Sequence, residues 1–168
     1  MKRKMAFTLL ELLIVVIILG VLAAIVIPRF STVTANARAT MLMDDLRVMR
    51  SQIMIFKAQH NGVAPGYPGC DTGNTPDNDA LASHITLVST ANGLTAAVGT
   101  PGFQYGPYMR EMPENPINGK KTVLVVADGV DFPAAPSNEF GWVYQPSTLT
   151  FRADSGGSDE AGKAYFEY

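Results

Sequence analysis

The sequence predicts an α+β fold, with one long N-terminal α-helix packed on a small antiparallel β-sheet. Three patterns carry that reading. Phe7 to Ile27 is an apolar run broken by a single charge, Glu11. Ala35, Ala39, Leu42, Leu46, Met49, Ile53 and Phe56 then recur at alternating spacings of four and three, the period of one helix face. Short segments rich in β-branched and aromatic residues follow toward the C-terminus.

The apolar run comes first. About 20 helical residues cross a bilayer, so Phe7–Ile27 predicts a transmembrane first half of the helix. Lys2, Arg3 and Lys4 precede it, and cations before an apolar segment hold that end in the cytoplasm. A secretory signal has an apolar core of about 7–15 residues and a small-residue cleavage site. This run is longer, and the A-x-A pattern of Ala35-Asn36-Ala37 lies well beyond Pro28. A carboxylate inside such a run costs roughly 2.5–3.5 kcal/mol near the bilayer centre, so Glu11 reads as functional. Gly20, Ala23 and Ala24 allow close helix approach, but no GxxxG pair is present. Pro28 lacks a backbone donor and predicts a kink.

The amphipathic second half is expected over residues 31–61, stopped by Gly62 and Pro65. Ala64 to Asn78 reads as an exposed loop. Asn78 or Asp79 is expected to cap a short helix over Ala80–Ala91, with Asn92-Gly93 as its stop. Pro101 to Asn118 reads as irregular, with Phe103, Tyr105 and Tyr108 covering the core. Thr122–Ala127 predicts a strand. Phe140–Tyr144 and Thr148–Arg152 predict a hairpin around Gln145-Pro146-Ser147, with Trp142, Tyr144 and Phe151 as packing residues.

Charge and motifs exclude several functions. Thirteen Lys and Arg face fifteen Asp and Glu, and three of those cations precede the apolar run. The remainder is acidic, which argues against nonspecific nucleic-acid binding. Cys70 is the only cysteine, so no internal disulfide forms. His60 and His84 belong to no metal-ligand pattern. No Gly-x-Ser-x-Gly or phosphate-binding loop is present, and no catalytic residues are assigned: the chain does not read as an enzyme.

Behind its basic leader, Phe7-Thr8-Leu9-Leu10-Glu11-Leu12-Leu13 resembles the signature of type IV pilins and type II secretion pseudopilins. Tyr108-Met109-Arg110-Glu111-Met112-Pro113-Glu114-Asn115-Pro116 and Gly141-Trp142-Val143-Tyr144 resemble later segments of major pseudopilins. The resemblance implies cleavage by a prepilin peptidase between Ala6 and Phe7, then N-methylation of Phe7. The family usually has Gly before the cut, where this chain has Ala6.

It divides the chain into a leader (1–6), a transmembrane and assembly helix (7–30) and a periplasmic domain (31–168). Glu11 lies one turn from the new Phe7 amine and is expected to neutralise that amine in its own chain or in the next subunit. With Phe7 and Pro28 it makes the assembly set.

The implied function is a structural filament subunit, the major pseudopilin of a type II secretion system. Its implied partners are other copies of itself, minor pseudopilins, the peptidase, and an inner-membrane assembly platform with its ATPase. A type IV pilus subunit and a minor pseudopilin are the alternatives. From another class comes a membrane-anchored external ligand-binding domain that never polymerises. Asp154-Ser155-Gly156-Gly157-Ser158-Asp159-Glu160 is oxygen-rich and turn-forming, as calcium sites are. Major pseudopilins carry a calcium loop near this end, so Asp154, Asp159 and Asp128 are candidate calcium ligands.

Overall fold

The computed structural model describes the backbone from residue 8 to residue 168, and the side chains of residues 8–24 and 33–168. Its contacts divide the chain into two units, Met1–Ala37 and Arg38–Tyr168. Helix α1, Leu9–Gln59, contributes to both.

In the first unit, the described part of α1 carries its apolar side chains in the open. Leu9 is 84% exposed, and Leu12 through Leu22 expose about half of each large apolar side chain. Monomeric proteins rarely leave more than a few hundred Å² of contiguous apolar surface uncovered. Among the described residues no helix is long and apolar enough to cross a membrane. Phe7 and the side chains of residues 25–27, which complete the expected span, lie outside the described residues, as does the side chain of Pro28.

The second unit is built on the predicted stripe. Ala39, Leu42, Leu46, Met49, Ile53 and Phe56 are all buried, while Ala35, in the other unit, is exposed. Each large side chain of the stripe contributes about 2 kcal/mol by leaving water. The face packs with Trp142, Tyr144 and Phe151 in the main core.

Those three residues belong to a three-stranded sheet of β3 (Val123–Val125), β4 (Trp142–Gln145) and β5 (Thr150–Ala153). β4 and β5 form the expected antiparallel hairpin, with Tyr144 opposite Phe151. β3 runs parallel to β4, so the sheet is mixed rather than wholly antiparallel. A parallel pair needs a crossover, and residues 126–141 supply it. Gln145 Nε2 donates to Val130 O at 2.8 Å, and Tyr67 Oη donates to Asp128, which fixes the crossover to the rest of the unit. Its return also covers the second face of the sheet. Val143 packs there with Val126 and Phe166, and the Arg152 guanidinium lies over the Phe132 and Phe166 rings. With both faces covered, β4 is buried at every position.

Helix α2 spans Asn78–Thr86, shorter than expected. Its N-cap is Asp77, which accepts from Ala80 N at 2.7 Å, rather than Asn78 or Asp79. It stops at Thr86 because Val88–Ser89 (β1) pairs with Thr95–Ala96 (β2). Asn92-Gly93 thus lies in a hairpin connection and does not end a helix. The loop after α1 is not uniformly exposed either: Ala64 to Tyr67 are buried.

Gly141 marks the tightest approach in the sheet. A Cβ there would stand 2.1 Å from Lys120 O and 3.2 Å from Thr122 O. Both are backbone atoms that cannot swing away. Gly141→Ala is expected to cost about 3 kcal/mol, measured by urea unfolding followed through Trp142, the only tryptophan. A wild-type midpoint would contradict this packing.

Candidate functional site

The start of α1 is the candidate assembly site. Thr8 stands just before the helix and Glu11 three residues on, the S/T-x-x-E spacing of a capping box. The geometry is reciprocal. Glu11 N donates to Thr8 Oγ1 at 3.2 Å. Thr8 N and Thr8 Oγ1 donate to Glu11 Oε2 at 2.8 and 2.9 Å. Two amides that a helix N-terminus otherwise leaves without partners are thereby satisfied, and the negative charge sits at the positive end of the helix dipole.

Thr8 is not among the residues that the family resemblance assigns to assembly, although its spacing to Glu11 signals the box. The box uses the Phe7–Thr8 peptide amide, which a cut before Phe7 leaves in place. Ala6 and Phe7 themselves lie outside the described residues. Glu11 is therefore the member of the predicted assembly set whose side chain can be located.

The three candidate calcium ligands occupy separate settings. Asp128 accepts from Tyr67 Oη at 2.9 Å on both oxygens. Burial first, then this carboxylate, pushes the Tyr67 hydroxyl up to about 12. Asp159 accepts from Lys163 N at 2.8 Å and from Tyr168 Oη. Asp154 is buried. One of its oxygens accepts from Ser137 N at 2.6 Å. The other accepts from Ser137 Oγ at 2.6 Å and Phe140 N at 2.9 Å. Burial opposes the charge, but these donors outweigh it and hold the carboxyl below the usual carboxylate range. Among the described residues, no three His, Cys, Asp or Glu side chains converge as a metal-holding group.

Asn115, which stands in the segment that resembles major pseudopilins, has a structural role that the sequence does not assign to it. Fully buried, it donates to Gly141 O at 2.6 Å and Ser155 Oγ at 3.0 Å, and accepts from Ile117 N at 2.9 Å. It ties the irregular segment before β3 to the open end of the β4–β5 hairpin, where Gly141 precedes β4 and Ser155 follows β5.

The histidines are buried. His60 Nδ1 lies 2.8 Å from Phe56 O, and a carbonyl only accepts, so Nδ1 carries the proton. Nε2 then accepts from Ser89 Oγ at 2.9 Å. The ring stacks on Phe56 at 3.7 Å. His84 Nδ1 accepts from Gly66 N at 3.2 Å and must stay unprotonated to do so.

Burial pushes His84 down to about 4, against the opposing pull of the Gly93 backbone carbonyl and, more weakly, of Asp77. Such an imidazole takes up its proton more readily in the unfolded chain. Stability is therefore full above about pH 6.5 and falls as pH drops from there toward 4, with no further loss from this group below. Urea midpoints are expected to fall between pH 7 and pH 5, and His84→Gln to flatten that fall. An unchanged slope in the variant would remove His84 as the cause. Cys70 is half-buried, and burial pushes its thiol up to about 11, leaving little nucleophilic thiolate.

Comparison with known proteins agrees with the N-terminal pattern and extends past it. Residues 1–27 match the family described as "Prokaryotic N-terminal methylation motif". A "Type IV narrow pilus major component" of Thermus thermophilus is 34% identical over 95 residues, 56% of this chain and 78% of that protein. A "Fimbrial protein" of Pseudomonas aeruginosa is 31% identical, over 63% of this chain and 73% of that protein. A "Type II secretion system core protein G" of Aeromonas hydrophila is 26% identical over 68% of each chain. No solved structure gives a significant match. None of these names is that of an enzyme. The methylation motif, the long helix on a small sheet and these relatives agree: the chain belongs to the family of type IV pilins and type II secretion pseudopilins.

Proposed function

We propose that this chain is the major pseudopilin of a type II secretion system, a structural subunit that polymerises through α1. The observation that carries this reading is the uncovered apolar surface from Leu9 to Leu22, headed by the Thr8–Glu11 box. Before assembly that surface lies in the inner membrane, with the periplasmic domain outside. A peptidase cuts between Ala6 and Phe7 and methylates the new amine. In the filament the surface packs against the same helix of other copies. Glu11 pairs with a Phe7 amine there and sets the register, because an unpaired charge in an apolar core costs several kcal/mol. Extraction from the membrane draws on a partner ATPase through the assembly platform, since this chain has no nucleotide-binding motif. Pro28 lets the helix adjust as it leaves the bilayer.

A second reading, a type IV pilus subunit, is favoured by the pilus and fimbrial relatives at 34% and 31% identity. Complementation separates the two. The gene is expressed in one strain lacking its major pseudopilin and in another lacking its major pilin. Restored protein export in the first strain alone supports the pseudopilin. Surface pili restored in the second strain alone would select the pilus reading.

A further inference from the structure

The turn at residues 137–140 is held from two sides by opposite charges of this chain. On one side is the Asp154 carboxylate, 1% exposed, facing Ser137 N, Ser137 Oγ and Phe140 N. A concave set of backbone N–H groups is an anion site, and Asp154 is the anion that fills it. On the other side the Lys120 ammonium donates to Asn138 O at 2.7 Å and Glu139 O at 3.0 Å. Carbonyl oxygens pointed at one cation are what a calcium site also provides. Here the cation is tethered to the chain.

The surrounding contacts lock the same turn. Gly156 N donates to Asn138 Oδ1 at 2.7 Å, and Asn118 Nδ2 donates to Phe140 O at 2.7 Å and Asp154 O at 3.0 Å.

A calcium ion does not fit these residues. It takes six to eight oxygens at about 2.3–2.6 Å. The Asp154 oxygens are faced by N–H and O–H hydrogens, whose positive ends repel a cation. The carbonyls of Asn138 and Glu139 are engaged by Lys120. Asp128 is engaged by Tyr67, and Asp159 by Tyr168, whose ring lies 4.6 Å from the Lys163 ammonium.

We propose that Lys120 and Asp154 form a built-in cation–anion staple of the 137–140 turn, and that the C-terminal half of the fold holds its shape without a divalent cation. The staple joins the β3–β4 crossover to the end of β5 and to the segment before β3. These three pieces must stay in register for β4 to remain covered on both faces. The inference goes beyond the filament reading and does not depend on it.

The test uses the full chain in detergent micelles, with thermal unfolding followed by Trp142 fluorescence in EGTA and in millimolar calcium. The wild-type midpoint is expected to be the same in both. Lys120→Met, which keeps the aliphatic stem and removes the charge, is expected to lower it by about 3 °C, and Asp154→Asn by roughly 5–10 °C, again equally in both solutions. If Asp154→Asn does not fold, Ser137→Ala removes a single donor and is expected to lower the midpoint by about 3 °C. A wild-type midpoint raised by calcium would overturn the proposal. So would a Lys120→Met midpoint equal to wild type.

Discussion

Glu11→Ala is expected to leave the chain in the membrane and abolish filaments. In the monomer, Glu11 Oε2 is held by Thr8 N and Thr8 Oγ1 at 2.8 and 2.9 Å, and losing such a cap costs about 1 kcal/mol. That alone would fray one helical turn. The larger loss falls in the proposed filament, where the methylated Phe7 amine would face an apolar core with no counter-charge. Removing one partner of a buried pair costs about 3–5 kcal/mol, more than a hundredfold in each subunit-addition constant.

Two further variants separate cap from charge. Glu11→Gln keeps an acceptor for Thr8 and removes the charge, so it is expected to behave like Glu11→Ala. Thr8→Val removes the hydroxyl and keeps the charge, so it is expected to reduce filaments only partly. The readout is the ratio of sheared filament to membrane-bound monomer. Wild-type filament yield from Glu11→Gln would show that the charge is not used.

Trp142→Ala is expected to cost about 4 kcal/mol of stability. The ring is fully buried, lies 5.4 Å from Phe151 and donates from Nε1 to Pro113 O at 2.9 Å. Truncating a buried large aromatic costs about 3–5 kcal/mol, and the change also strands the Pro113 carbonyl. Domains of this kind are stable by roughly 5–15 kcal/mol, so the variant sits near the edge of folding. Trp142→Phe keeps the ring stack and loses the hydrogen bond, for an expected cost of about 1–2 kcal/mol. Urea unfolding by circular dichroism measures both, since the fluorescent reporter is removed. Equal costs for the two variants would mean that the indole donor, rather than the ring volume, carries the site.

The legible parts of this fold were those set by local periodicity. The stripe from Ala39 to Phe56 is buried as its spacing requires, and the β4–β5 hairpin forms around Pro146 and Ser147. What depended on distant partners was not legible. Val123–Val125 reads as a strand by its side chains, but its parallel pairing is decided by where the 126–141 crossover returns. The apolar pattern beyond Thr86 suits a helix or a strand, and Ala96 and Thr95 decide for the strand by pairing with it.

At the candidate assembly site, the motif makes Glu11 legible, and the S/T-x-x-E spacing makes legible the cap that Glu11 forms with Thr8 in the monomer. Asp, Ser and Gly serve cation sites and amide-lined turns alike, so the sequence around Asp154 suits both. The donors from Ser137 and Phe140, on which the proposed staple rests, are distant in sequence and could not be read there.

Processing and assembly through the N-terminus can be read from the mass of the N-terminal peptide, taken from protein in its own cell envelope. A chain that begins at Phe7 and carries one added methyl group is expected. A chain that begins at Met1, with no processed form present, would contradict it and would favour a membrane-anchored domain that never polymerises.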